Sequence, residues 1–137
     1  MVAYSFKKRF IEPIRVGLST ISLSFDCPPK RQTIRALGKR RHARRGETLQ
    51  LYTAMRTRQC RKIGDARCVK TDNITLRICS DGDLLVTIGG KLMLPADVDG
   101  FAQADGFEGH EDMWLFWREN YPDTEYFNGV LIRWEPL

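Results

Sequence analysis

The chain has 137 residues, 42% hydrophobic and 28% charged, with three Trp, seven Phe and four Tyr, which suits one domain burying a core without metals or disulfides and excludes a disordered chain. The apolar runs are too short to span a bilayer and the first residues lack the order of a signal peptide, so a cytoplasmic protein is expected. The net charge of +5 conceals an asymmetry: residues 1–70 hold 18 Lys and Arg against four acids, residues 71–137 four against 13. One positively polarised face is implied, suited to a nucleic acid or other phosphate-bearing partner, or to pairing with the acidic half.

Residues 2–6 read as a short strand, and "KKRFIEPIRVG" predicts a short helix with Pro13 near its first turn and Gly17 as its stop. Residues 18–29 read as a hairpin arm or ordered loop, closed by Pro28-Pro29. "RQTIRA" and "ETLQLYTAM" alternate as strands on either side of a basic run and a Gly46-Glu47 turn, the second placing Leu49, Leu51 and Thr53 on one face. Residues 60–69, 73–79, 84–88 and 91–94 are further strand candidates. Residues 95–106 predict a helix starting at Pro95 and stopping at Gly106. Residues 109–120 predict a second, with Met113, Phe116 and Trp117 on one face. Residues 127–135 close the chain as a strand. This order predicts one α+β domain over 1–137, built on a small curled sheet or barrel.

Cys27, Cys60, Cys68 and Cys79 form no CxxC pair, and neither His42 nor His110 lies at a zinc-ligand spacing from a cysteine. No metal, no cofactor and reduced structural thiols are therefore expected. Phosphate-binding glycine loops and hydrolase, metalloprotease and kinase signatures are absent from the sequence. What remains is residues 30–46, with eight basic residues and no acid.

Lys30 and Thr33 are three apart, on opposite faces of an ideal strand, but a bulge or turn at the strand's start would bring both to one pocket. A desolvated lysine among arginines has a lowered pKa and can take a proton from a threonine hydroxyl. A carboxylic acid must then protonate the leaving group. Glu111, flanking the Trp114 side of the second helix, is a candidate, with Glu108 one turn away. Spacing alone favours plainer roles: Lys30 as a phosphate contact, Thr33 as a strand former, Glu111 as a helix-dipole partner.

The stretch "KRQTIRA…KRRHARRGETLQLYTAMRT" resembles the ASCH domain family, a branch of the PUA-like superfamily, in its Lys-x-x-Thr-Ile-Arg core, basic segment and Gly-acid turn. "YSFKKRFIEPIRVG", "ADGFEGHEDMWLFWRENYP" and "FNGVLIRW" resemble the family's opening strand and helix, later helix pair and closing strand, so nearly the whole chain is covered. The resemblance implies a PUA-like pseudobarrel with flanking helices and a cleft that handles RNA or a modified nucleoside. A subgroup of similar size hydrolyses the acetyl amide of N4-acetylcytidine. Carried over, its residues fall on Lys30 as base, Thr33 as nucleophile and, through "HEDM", Glu111 as proton donor, with Arg35 as substrate contact or support. One departure stands out: residues 18–29, 12 in all, separate Gly17 from Lys30, where the family commonly has one. Such an insertion costs little closure entropy, but it emerges beside Lys30, as a lid or as a block.

Competing expectations need less convergence. An RNA-binding module would use Arg31, Arg35, Lys39, Arg40, Arg41, Arg44 and Arg45 on phosphates and Tyr52 for stacking on a base. A ribonuclease would use Lys30, Tyr52 or His42 to assist attack by the 2′-hydroxyl of single-stranded RNA. A plain interaction module would set the basic face against an acidic protein.

Overall fold

Alternating segments bury one face by pairing, and here they pair into a single sheet. The structure, a computed structural model, describes residues 1–19 and 27–137. The arm or loop expected over 18–29 falls mostly outside them. The chain is mixed α+β, with seven strands and three α-helices among the described residues.

Strand β1 (Val2–Phe6) leads through a 3-10 turn (Lys8–Phe10) into α1 (Ile11–Leu18), followed by β2 (Gln32–Ala36), β3 (Thr48–Thr53) and β4 (Arg61–Ile78). Then come β5 (Leu84–Ile88), β6 (Lys91–Leu92), α2 (Pro95–Ala104), α3 (His110–Asn120) and β7 (Tyr126–Pro136). β1 pairs parallel with β3; every other pairing is antiparallel. β4 is the spine, pairing with β3, β5 and β7, while β7 in turn carries β2. Followed along its hydrogen bonds, the sheet runs β1-β3-β4-β7-β2 with β5 and β6 branching from β4.

The burial pattern follows the period-2 reading. Val2, Tyr4 and Phe6 of β1 and Leu49, Leu51 and Thr53 of β3 are all buried, each alternating with less buried neighbours. Ile14 of α1, Leu131 and Ile132 of β7, and Met113 of α3 are fully enclosed.

Three expectations are corrected. The strands predicted at 60–69 and 73–79 are one strand, because β7 pairs along its whole polar middle, with Lys70, Thr71 and Asp72 opposite Arg133, Ile132 and Leu131. A register shift between Cys68 and Lys70 absorbs the break in alternation. The strand expected at 91–94 shortens to Lys91–Leu92. Gly17 does not stop its helix; it lies within α1, where a Cβ would come 2.4 Å from the main-chain oxygen of Lys30. Its role is close approach.

Candidate active site

Lys30 is placed from two sides before β2 begins. Its N–H donates to Pro13 O of α1 at 2.9 Å, its carbonyl rests on Gly17, and the neighbouring Arg31 Nε donates to Gly17 O at 2.8 Å. Lying outside the regular strand, Lys30 escapes strict alternation and shares a cleft with Thr33.

Lys30 is a fully enclosed lysine, and an enclosed ammonium needs a partner. Its Nζ donates to the main-chain oxygen of Asp105 at 2.5 Å and lies 3.4 Å from Asp105 Oδ1. Gln32 Nε2 donates to the same Oδ1 at 3.3 Å. Both Lys30 and Asp105 are almost wholly buried. Burial pushes the Lys30 amine down, against the pull of Asp105, and pushes the Asp105 carboxyl up, against that of Lys30. Burial and mutual attraction thus oppose one another at both groups. Asp105 sits just past α2, ahead of Gly106, whose φ of +98° and whose contact with Phe10 and the Lys30 side chain exclude a Cβ.

Two residues apart along β2, Thr33 and Arg35 meet in the same cleft: Arg35 Nε donates to Thr33 Oγ1 at 3.2 Å and Arg35 Nη2 to Ser5 O of β1 at 2.8 Å. This bond fixes the Thr33 oxygen and leaves the hydroxyl's own proton for another acceptor. The guanidinium lies over the Tyr4 and Phe6 rings, 5.3 and 4.7 Å from their centroids. Two of the sheet's outer strands, β1 and β2, thus flank one cleft of about 310 Å³, within the range of small-ligand sites. Phe10, Phe107, Phe116 and Trp117 wall it and pack edge to face or tilted at 5.2 to 5.9 Å. Trp117 Nε1 is buried without a hydrogen-bond partner among the described residues. At the mouth, Lys7 Nζ donates to Asn120 Oδ1 at 2.7 Å.

No family model, curated protein or solved structure matches this chain.

Glu111 stands apart from it. α3 turns Met113 and Trp117 into the core. Glu111, two residues before Met113 and thus roughly 200° around the helix, is exposed beside Asp99, Glu108 and Leu115 in a separate depression. The carboxylate that meets Lys30 is Asp105, which the sequence reading missed. A signal was present: Val98, Phe101, Ala102 and Asp105 recur at i, i+3, i+4 and i+7, and all four are buried. A carboxylate in that stripe is anomalous.

The basic run also divides. Arg41 is committed to Glu47, with Nη1 and Nη2 donating at 2.7 and 2.8 Å, and the Arg44 N–H joins them. These bonds, Arg41's first, hold the Glu47 carboxyl down at about 2. Lys39, Arg44 and Arg45 are exposed and do not line the cleft, and neither does Tyr52, half-buried on β3 opposite Ser5. His42 has both ring nitrogens engaged, by the Tyr4 hydroxyl at 3.1 Å and Ala36 O at 2.7 Å, and Ala43 N–H donates to the same hydroxyl. It is a structural tie between β1 and the basic segment.

Proposed function

We propose that the cleft hydrolyses the amide of an N-acylated nucleobase, with N4-acetylcytidine as the model substrate. The observation that carries this reading is the enclosed triad of Lys30, Thr33 and Asp105, with Arg35 on the threonine oxygen. In the proposed reaction Thr33 Oγ attacks the acyl carbon and its proton passes to the Lys30 amine. Arg35 stabilises the charge that develops on the carbonyl oxygen. Asp105, whose carboxyl burial pushes up, serves in its protonated form as the acid that gives its proton to the exocyclic nitrogen as the C–N bond breaks. Water then cleaves the acyl-threonine, releasing the carboxylic acid and restoring both protons.

The aromatic walls fit a planar base. We also read the fold as the PUA-like pseudobarrel of an ASCH domain. In support, the outer strands β1 and β2 line one cleft and the Arg35 side chain bridges them by its bond to Ser5 O.

The test is chromatographic: purified protein is incubated with N4-acetylcytidine between pH 6 and 9 and released cytidine is measured. Turnover is expected, and its loss in Lys30→Ala and Thr33→Val. Absence of cytidine across that range, or full activity in Thr33→Val, refutes the scheme.

A further inference from the structure

A second trough opens from the cleft. The two share Ser5, Arg35, Ala36 and Tyr121, so they form one continuous depression along the facing edges of β1 and β2. Where the cleft is walled by aromatic rings, the trough is lined by Arg35, Arg40, Arg41 and Arg56. Arg41 is spent on Glu47. Arg40 and Arg56 are exposed and have no hydrogen-bond or ion-pair partner among the described residues, and Arg35 uses Nε and Nη2 but not Nη1. Two whole guanidiniums and part of a third thus converge without an acid to neutralise them.

The backbone that presents Arg56 is itself unusual. Ala54 and Arg56 both take left-handed conformations, φ 52° and 66°, which side chains other than glycine's rarely adopt. The turn is tied down by Thr57 Oγ1 donating to Ala54 O at 2.7 Å and by Met55 N–H donating to Ser5 Oγ at 3.1 Å. Strained backbone held in place by its surroundings is typical of ligand sites. Here it carries an arginine to the rim of the trough. Tyr121 stands at the junction, stacked on Trp117 at 5.2 Å.

We propose that this trough holds the phosphate of the nucleotide whose base enters the cleft, so that the substrate is a phosphate-bearing nucleotide of an RNA strand and not a free nucleoside. The inference rests on a nucleobase occupying the cleft, as in the proposed function. Arg40 and Arg56 are the phosphate contacts, and Arg35 links the two compartments, touching the Thr33 oxygen on one side and lining the trough on the other. Guanidiniums bind phosphate oxygens through paired, charge-assisted hydrogen bonds.

Isothermal titration with cytidine, cytidine 5′-monophosphate and a cytidine trinucleotide tests this without any need for turnover. Wild-type protein is expected to bind the monophosphate at least about tenfold more tightly than cytidine at low salt. In Arg40→Ala/Arg56→Ala, checked for folding by circular dichroism, that ratio falls towards one. For the trinucleotide, the slope of log affinity against log salt drops by about 1.4, two contacts at about 0.7 each. Tighter binding of the trinucleotide than of the monophosphate identifies a strand as the source of the phosphate. Equal affinity for cytidine and its monophosphate, a preference that survives in the double variant, or a monophosphate bound more tightly than the trinucleotide overturns the proposal. Failure of the hydrolysis reading looks different: the phosphate preference stands while N4-acetylcytidine is left intact.

Discussion

Replacing Lys30 with Met probes the buried pair directly. Lys30 Nζ and Asp105 Oδ1 are 3.4 Å apart with 3% and 6% of their side chains exposed. The substitution keeps much of the volume and leaves the Asp105 carboxyl with Gln32 Nε2, at 3.3 Å, as its side-chain donor. Removing one partner of a buried pair costs about 3–5 kcal/mol while the other stays charged. Asp105 can escape that cost by keeping its proton, because burial already raises its pKa. The unfolded chain loses this proton near the ordinary carboxylate value, whereas the folded variant retains it. Stability therefore falls as pH rises from that value through the folded one, by about 1.4 kcal/mol per pH unit in the interval. Urea unfolding at pH 5 and pH 8 should show a Lys30→Met deficit that is larger at pH 8 and reaches about 3–5 kcal/mol there. Lys30→Met/Asp105→Asn, with no charge left to bury, should recover most of it. A deficit under about 1 kcal/mol at pH 8, or a double variant no more stable than the single, refutes the reasoning.

Other consequences follow from the same contacts. Asp105→Asn should lower kcat for amide hydrolysis by roughly 10²–10⁴ while exposed Glu111→Gln changes it less than about twofold; the reverse order in steady-state assays would return the acid's role to Glu111. Gly17→Ala sets a Cβ 2.4 Å from the Lys30 carbonyl oxygen, so thermal melting should show a loss of about 1–3 kcal/mol, and an unchanged melting curve contradicts the close approach. Glu47, held at about 2, contributes stability that is present above its ordinary value of 4.5 and lost as pH falls from there through about 2. Carboxyl NMR should find its titration displaced to low pH in the wild type and returned towards the ordinary range in Arg41→Ala; an ordinary titration in the wild type contradicts the Arg41–Glu47 bond.

Much of the fold was legible because its signals are local. Short strand-like runs located β1, β3, β5 and β7 to within about two residues, and Pro95 and Gly106 bracketed α2. The union of the two predicted strands in β4 was not legible, since its polar middle is held by cross-strand pairing with β7, more than 50 positions away. For the site, the Lys30–Thr33 spacing by itself favoured plainer roles, and which carboxylate meets Lys30 depended on which face of α3 meets the core. Helical phase relative to the core placed Glu111 in water and left Asp105, on the apolar stripe that α2 begins, to meet the lysine.

The sequence by itself therefore determined the local elements and the concentration of positive charge in residues 30–46, because alternation, turn residues and charge count are properties of neighbours along the chain. Only the tertiary structure decided which cations are enclosed, tied or free. Lys30 meets an acid 75 positions away, Arg41 is held by Glu47, and Arg40 and Arg56 are left beside the cleft. Desolvation and Coulomb energy depend on distance through space, and folding sets that distance.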